Sequence, residues 1–212
     1  MGWLLLLLGY GLGSLPTGYL MGKWLKGIDL RTLGSGSTGA TNVLRHVGKG
    51  PAAVVLLIDG LKGMAAVQIA ALLLTGDPWV AWWMVAAGLM AVLGHSRSCW
   101  LGWQGGKSVA TSLGVLLGLS WMTALGCLAV WGSLVALTRW VSLGSVAAAV
   151  AAPLWMVIFA QPLPSILFAG LAGGYVVLTH TKNIQRLWQG TEPKIGQKTA
   201  TPLGSESATP SP

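Results

Sequence analysis

The residues best suited to bind a ligand lie between Leu33 and Arg45, in the segment LGSGSTGATNVLR. Its three glycines allow the backbone to approach a ligand closely, and amides that converge at a helix start bind anions such as phosphate. If Ser37 or Thr38 caps a helix that begins near Ala40, spacings of three and four create one polar face. This face consists of Thr38, Thr41, Asn42 and Arg45. The segment therefore predicts an anion-binding surface, with a flexible linker as the alternative.

The same segment contains a GxGxxG pattern at Gly34, Gly36 and Gly39, and Asp59 follows the last glycine by twenty residues. This spacing is typical of a dinucleotide-binding fold. Such a fold needs a buried strand directly before the first glycine, followed by alternating strands and helices. Here the preceding KGIDLRTL is polar and irregular, and long apolar runs follow. A dinucleotide site is therefore the lesser alternative, and we expect no cofactor and no metal.

A second polar segment spans residues 94–107 and ends in Gly105, Gly106 and Lys107. It resembles the end of a Walker A loop, but Leu101 stands where that motif requires glycine. Glycine amides, a lysine and a helix start at Ser108 still suit a phosphate group. Lys107 as a charge that only sets the membrane topology is the open alternative.

The third polar segment, HTKNIQRLWQGTEPK, places His180 and Asn183 on one helical face. Histidine titrates near neutral pH and can act as a general base, although a capping role is equally compatible with its position. We expect Glu192 to hold the polar segments together through a salt bridge to one of the many cations. Ser142, which lies close to Arg139, is either a helix cap or a substrate contact.

The composition indicates what positions these segments. The 212 residues are 53% hydrophobic and 8% charged, with a mean hydropathy of +0.67, whereas soluble domains are about 25% charged. The sequence therefore predicts an integral membrane protein with one membrane domain over residues 1–196 and a disordered polar tail over 197–212. The net charge of +8 is assigned to topology and to anionic headgroups or substrates rather than to nucleic acid. The two cysteines lack metal or redox spacing.

The apolar runs predict an all-α protein with about seven transmembrane helices. Residues 108–138 are too many for one span and too few for two full ones, so we expect two short helices that turn near 119–121. Lys and Arg then lie on one side, which places the N-terminus outside and the C-terminus in the cytoplasm. Asp59 and Lys62 lie within the second span. Because each charge alone would cost about 2.5–3.5 kcal/mol there, we expect a structural ion pair.

Three segments, GSGSTGATNVLR, GHSRSCWLGWQGGKSVATSLG and HTKNIQRLWQGTEPK, resemble in order and spacing the signature segments of the acyl-phosphate-dependent glycerol-3-phosphate acyltransferases, the bacterial PlsY family. The resemblance extends over nearly all of residues 9–196. The sequence departs from the family pattern at Trp103-Gln104, where Phe-Lys is usual, and at Ser108, where glycine is usual. Both departures concern the affinity for the donor more than the type of reaction.

The resemblance implies an enzyme of the bacterial inner membrane with its active site facing the cytoplasm. Such an enzyme moves a fatty acyl group from acyl phosphate to the 1-hydroxyl of glycerol 3-phosphate, giving lysophosphatidic acid and phosphate in the first step of phospholipid synthesis. Its partners are these two substrates and membrane lipids, not nucleic acid, and the oligomeric state stays open. No histidine has an aspartate five positions on, as the thioester-using acyltransferases would require.

Within this reaction we assign the polar residues as follows. The predicted catalytic residues are His180, Asn183, Lys107 and Arg45. The predicted substrate-binding residues are Ser35, Ser37, Thr38, Thr41, Asn42, Gly105, Gly106 and Ser142, and the structural ones are Glu192, Asp59 and Lys62. The general base is either His180 or the phosphate of the substrate itself, whose second pKa is about 6 by analogy with phosphorylated side chains. A carrier for an anionic metabolite is the competing class. Carriers place ionisable groups at the midplane and often repeat their halves, and no repeat is evident in this sequence.

Overall fold

The computed structural model describes residues 2–197, and this range folds into ten α-helices. They are α1 Gly2–Ser14, α2 Thr17–Lys26, α3 Ala40–His46, α4 Lys49–Leu73, α5 Val80–Ser96, α6 Val109–Leu119, α7 Trp121–Thr138, α8 Val141–Ile158, α9 Leu163–Thr179 and α10 Thr181–Trp188. Within this range β-pairing is limited to an isolated bridge between Ser98 and Gln104. No strand precedes Gly34 there, so the glycine pattern does not form a dinucleotide-binding fold.

The helices have the composition and length of a multi-pass membrane protein. In the described part of the chain, four candidates are long and apolar enough to cross a bilayer, namely α1 with α2, α4, α7 and α8. The bent pair of α9 and α10 is a fifth. Helices α5 and α6 are apolar but shorter, and the 11 residues of α6 span only about 17 Å. The all-α membrane fold is confirmed, and the count of seven spans stays a prediction.

The predicted turn in the long apolar run 108–138 is present. Helix α6 ends at Leu119 and α7 begins at Trp121, with Ser120 in an extended conformation between them. The Ser120 hydroxyl accepts a hydrogen bond from the Thr123 amide at 3.4 Å and so caps α7. The two helices form a hairpin, and its ends at Lys107 and Arg139 both lie at the polar end of the bundle.

A buried ion pair fixes the break between α1 and α2, which the proline of the segment GSLPTG at residues 13–18 predicts. Lys62 Nζ lies 2.8 Å from Asp59 Oδ1 and also donates to the Leu15 carbonyl at 3.0 Å. Thr17 Oγ1 donates to the same Asp59 oxygen at 2.5 Å. The break at Leu15 and Pro16 frees backbone groups from the helix, and the charged pair on α4 supplies a partner for the Leu15 carbonyl.

Two helix starts differ from the sequence prediction. Gly39 is the N-cap of α3, so neither Ser37 nor Thr38 caps this helix. The sequence predicts a polar junction over residues 139–144 and a span from Ser145, but helix α8 already begins at Val141, because the chain reverses in Arg139, which adopts a left-handed conformation with φ of 64°. The junction therefore consists of Arg139 and Trp140. Of the predicted tail, residues 198–212 lie outside the described residues.

Candidate functional site

A cavity of about 220 Å³ opens among the polar segments and continues between the helices. Most of the residues predicted from the sequence line its polar end. They are Ser35, Ser37, Thr41, Asn42, Arg45, Asp59, Lys107, Ser142, His180, Asn183 and Glu192. Four other predicted residues, Thr38, Lys62, Gly105 and Gly106, do not line it. The structure thus brings three segments that are far apart in sequence to one site.

A chain of short hydrogen bonds connects the second polar segment with the third. Lys107 Nζ donates to Asn183 Oδ1 at 2.5 Å, and Asn183 Nδ2 donates to Glu192 Oε1 at 2.7 Å. The other Glu192 oxygen accepts from Arg186 Nε at 2.7 Å, which forms the salt bridge expected of this glutamate. Asn183 is therefore held from both sides, and it presents its carbonyl oxygen to the lysine rather than to solvent.

Glu192 occupies the centre of this polar end. Burial favours the neutral carboxyl group, but hydrogen bonds from Asn183 and Arg186 favour the carboxylate and keep the pKa of Glu192 below its usual value. Its segment is fixed by main-chain contacts, since the Trp140 indole donates to the Glu192 carbonyl at 3.1 Å. Arg45 Nη2 donates to the Pro193 carbonyl at 3.3 Å. The C-terminal segment therefore connects the α7–α8 junction with the α3 helix.

Lys107 combines burial with a surplus of positive neighbours. Burial lowers the pKa of Lys107 to about 8; Glu192 opposes this shift, and Arg186 and Arg45 add to it. The positive charge of the ammonium group is thus only partly balanced by negative neighbours, and binding of an anion would balance it. Ser108, which follows it, has a φ of 61° in the left-handed region. Glycine is favoured there, and the Ser108 hydroxyl offsets the strain by donating to the Val92 carbonyl at 2.7 Å.

Asn42 organises the first polar segment from within. Its side-chain amide donates to the carbonyls of Leu30, Leu33 and Ser37 at 3.1, 3.1 and 2.8 Å. The loop is therefore wrapped around one buried amide, which leaves the hydroxyls of Ser35, Ser37 and Thr41 beside the cavity. Thr38 is buried instead and packs its carbonyl against Gly18 of α2.

His180 lies just beyond the last residue of α9 and is buried at the cavity wall. Its Nδ1 is 2.8 Å from the Val176 carbonyl, so Nδ1 carries the proton and Nε2 is free to accept one. Burial and the charge of Lys107 lower the pKa of His180 to about 4. The imidazole is consequently neutral at pH 7 and a weak base.

Ser142 is a candidate for direct contact with a ligand. Its hydroxyl is buried in the first turn of α8 and lines the cavity, and it lies close enough to the Glu192 carboxylate to lower the pKa of that group, although it makes no hydrogen bond of good geometry among the described residues. A buried hydroxyl without a partner costs free energy, and a polar ligand in the cavity would satisfy it. Of the two roles considered for Ser142, this arrangement favours the contact over the cap.

The deeper part of the cavity is an apolar arm between α6, α7, α8 and α9. Small side chains such as Ala148, Ala152, Ala169 and Ala172 line it, and Phe168, which is fully buried, lies beside them. Ala152 follows Ser142 by ten residues on the same helix, so the arm extends about 15 Å from the polar end. A chain of methylene groups fits such a surface, because its burial is favoured by about 0.8 kcal/mol per group.

His95 also lines the cavity, although sequence reasoning gave it no role. It lies in the last turn of α5 and is 7% exposed. An ionisable residue at the end of an apolar run, directly before a polar loop, is the signal that could have identified it.

The fold and the site together define an integral membrane protein with a cavity that joins a cation-bearing polar end to an apolar arm. Comparison with known proteins agrees. The sequence model of the glycerol-3-phosphate acyltransferase family matches residues 3–190. A glycerol-3-phosphate acyltransferase of Synechococcus sp. (strain JA-3-3Ab) is 60% identical over 91% of this chain and 92% of its own length. That of Gloeobacter violaceus is 55% identical over 90% and 93%.

Solved structures of the same kind also superimpose. PlsY, an integral membrane glycerol 3-phosphate acyltransferase, in its glycerol 3-phosphate form has a TM-score of 0.86 and 38% identity, over 92% of this chain and 96% of that one. Its lysophosphatidic acid form has a TM-score of 0.83 and 37% identity. The chain therefore belongs to the glycerol-3-phosphate acyltransferase family, the PlsY type of membrane acyltransferase in phospholipid synthesis.

Removal of the Glu192 charge provides a test of the polar network. We expect Glu192→Gln to lower the free energy of unfolding at pH 7 by on the order of 1–2 kcal/mol, a modest value because Arg186 is about one-third exposed. Since the folded protein lowers the pKa of Glu192, its contribution is present above the unfolded value of about 4.3 and is lost as the pH falls through the folded value. The two proteins should therefore converge in acid.

Thermal unfolding in detergent at neutral and acidic pH measures this difference. Asp77→Asn, in the turn between α4 and α5, is the matched control and should show no such convergence. A difference between Glu192→Gln and the unchanged protein that persists in acid, or none at pH 7, would contradict the network.

Proposed function

We propose that this protein transfers a fatty acyl group from acyl phosphate to the 1-hydroxyl of glycerol 3-phosphate, giving lysophosphatidic acid and phosphate. The observation that carries the proposal is the single cavity, which joins a cation-bearing polar end to an apolar arm. An acyl phosphate has this shape and charge distribution. The two similar PlsY structures are a glycerol 3-phosphate form and a lysophosphatidic acid form, which supports the same pair of acceptor and product.

Acyl phosphate is a mixed anhydride and is already activated, so no covalent enzyme intermediate is required. Neither cysteine is in a position to form one. Cys127 lies on α7 beside the apolar arm, with its thiol directed at the Ala148 carbonyl at 3.6 Å, and Cys99 does not line the cavity. The tasks left to the protein are to position the substrates and to stabilise negative charge.

The polar residues divide these tasks. Arg45 and Lys107 hold phosphate groups, because both are cations at the cavity wall with few compensating charges. Ser142, His180 and Asn183 orient glycerol 3-phosphate, whose 1-hydroxyl attacks the acyl carbonyl while the bond to the leaving phosphate breaks. The first segment lines the donor site with its backbone amides and the hydroxyls of Ser35, Ser37 and Thr41, while Asn42 holds the loop in shape and Thr38, which is buried beside α2, takes no part. Gly105 and Gly106 shape the loop that carries Lys107.

The proton of the attacking hydroxyl goes to a substrate phosphate. A phosphate monoester has a second pKa of about 6, close to the working pH, whereas burial lowers the pKa of His180 to about 4. His180 then acts by orientation, with its free Nε2 as the acceptor of a hydrogen bond from the second hydroxyl of glycerol 3-phosphate. The proposal thus takes the substrate phosphate rather than His180 as the general base.

The proposal includes the membrane arrangement. Seven spans place α1 with α2, α4, α5, α6, α7, α8 and α9 across the bacterial inner membrane as one domain over residues 1–196. Arg45 contacts Pro193, Arg139 contacts Ile195 and Lys107 contacts Asn183, so the polar segments converge at one end. Their cations favour the cytoplasmic side. The N-terminus is then outside, phosphate leaves into the cytoplasm, and lysophosphatidic acid leaves into the inner leaflet.

A direct assay tests the reaction. Purified protein supplied with palmitoyl phosphate and labelled glycerol 3-phosphate should form labelled lysophosphatidic acid and an equal amount of inorganic phosphate. The same protein supplied with acyl-CoA should form none. Product from the thioester alone would contradict the assigned donor. If neither donor gives product and the protein takes up glycerol 3-phosphate into proteoliposomes, the protein is a carrier and not an acyltransferase.

The pH dependence tests the role of Lys107. Because burial lowers its pKa to about 8, the ammonium group loses its proton above that pH and kcat/KM for glycerol 3-phosphate should fall. Lys107→Arg keeps its charge at every working pH, so its rate, although lower, should show no alkaline fall. Lys182→Arg, on the exposed part of α10, is the matched control. An alkaline fall of the same size in Lys107→Arg would exclude this role.

A further inference from the structure

His95 lies between the buried Asp59–Lys62 ion pair of α4 and the glycine loop, the segment of Gly105, Gly106 and Lys107 that precedes α6. Its Nδ1 lies 3.6 Å from Asp59 Oδ1, and both side chains are almost completely buried. Asp59 cannot move easily, because Lys62 and Thr17 bind the same carboxylate oxygen and Lys62 is in turn bound to the Leu15 carbonyl. The imidazole therefore has a rigid charged neighbour on the side that faces α4.

The glycine loop packs against the opposite side of His95. The His95 carbonyl accepts a hydrogen bond from the Gly106 amide at 3.1 Å. A Cβ atom on Gly105 would overlap this carbonyl, and one on Gly106 would overlap the imidazole, with Nε2 as the nearest atom. The loop thus contacts His95 through both backbone and ring, so closely that only glycine fits at either position.

Both sequence neighbours of Lys107 are bound to α5. On its N-terminal side Gly106 lies against His95, and on its C-terminal side the hydroxyl of Ser108 is bound to the Val92 carbonyl at 2.7 Å. His95 and Val92 both belong to the last turns of α5. The end of α5 consequently fixes the backbone of Lys107, whose side chain extends from there to Asn183.

We propose that His95 is a positioning residue, which transfers the rigidity of the Asp59–Lys62 pair to the glycine loop and thereby sets the place of the Lys107 ammonium group. The geometry separates this role from a catalytic one. Nδ1 faces Asp59 and Nε2 is the ring atom that a Cβ on Gly106 would meet first, so both ring nitrogens are directed at parts of the protein, although the residue also borders the cavity. The proposal deepens the proposed function, on which it rests for the task of Lys107.

The first readout needs no substrate. The rate at which an amine-specific reagent modifies Lys107, followed by mass spectrometry over a range of pH in the full-length protein, gives the pKa of this lysine. The unchanged protein should show a midpoint near pH 8, since burial lowers the pKa of Lys107 to about 8. In His95→Ala the glycine loop loses its contact with the imidazole, so Lys107 should become more exposed. The midpoint of its modification should then rise toward about 10.4, the pKa of a free lysine.

The charged and titratable groups that face Lys107, namely Glu192, Arg186, Arg45 and His180, are the same in every variant. Ser98→Ala is the matched control. It removes a buried hydrogen bond of the same loop, from the Ser98 hydroxyl to the Ser14 carbonyl at 2.6 Å, without contact to Gly106. It should lower thermal stability and leave the Lys107 midpoint unchanged. His95→Gln, which keeps an amide opposite Asp59, should give a smaller rise and serves as the folded comparison if His95→Ala does not fold.

The second readout uses the overlap between Gly106 and the imidazole. Gly106→Ala should lower kcat/KM about 100-fold, because a displacement of the order of 1 Å is enough for such a loss. In the double variant His95→Ala with Gly106→Ala the added methyl group has room, so at least tenfold of this loss should return. Effects that simply multiply would mean that the two residues are independent.

These outcomes distinguish the inference from the proposed function. A Lys107 midpoint near pH 8 in both His95→Ala and His95→Gln, or no recovery in the double variant, would overturn the positioning role. A midpoint that rises as expected in a protein that forms no lysophosphatidic acid would keep the positioning role and refute the proposed reaction instead.

Discussion

The polar end of this protein depends on one carboxylate. Glu192 is buried among cations, and it accepts hydrogen bonds from Asn183 and Arg186 with its two oxygens. Without it, Arg45, Lys107 and Arg186 would repel one another in a partly desolvated space, where such repulsion is stronger than in water. With it, the cations remain together and still exceed the local negative charge. The protein thus holds a positive surplus in place before any substrate arrives.

This surplus is the physical basis of the proposed chemistry. Acyl transfer from a mixed anhydride to a phosphorylated alcohol brings two phosphate groups close together, and their mutual repulsion must be offset. Fixed cations achieve this without reorganisation during the reaction. The apolar arm adds the binding free energy of the acyl chain, and the buried Ser142 hydroxyl, which lies beside the Glu192 carboxylate, adds a polar contact at the start of the arm. The buried Asp59–Lys62 pair contributes as well, since it joins the middle of α4 to the break between α1 and α2 and to the end of α5 near the site.

Much of the fold followed from composition and from the length of the apolar runs. The turn at Ser120 was predictable because a largely apolar run of 31 residues, 108–138, suits neither one span nor two, and the pairing of Asp59 with Lys62 followed from the cost of charge in a membrane. The cap of α3 at Gly39 was not predictable, since serine and threonine are better caps in general and only tertiary contacts decide against them here.

Within the site, residue types and spacing identified most of the cavity wall, but not the contacts among its members. The bond between Lys107 and Asn183 joins residues 76 positions apart, and no local pattern contains it. The role of Asn42 is similar, because its amide binds the loop from inside, a contact that a helical spacing does not reveal. His95 was missed because its partners, Asp59 and Gly106, come from two different elements.

The central claim is that Lys107, Asn183 and Glu192 act as one unit. Its most direct test is a double-mutant cycle on kcat/KM for glycerol 3-phosphate with Lys107→Ala, Asn183→Ala and the combined variant. If the unit exists, each single change already disables it, and the double variant should be no more than a few-fold slower than the slower single one. Losses that multiply, so that the double variant combines both single effects in full, would contradict the account.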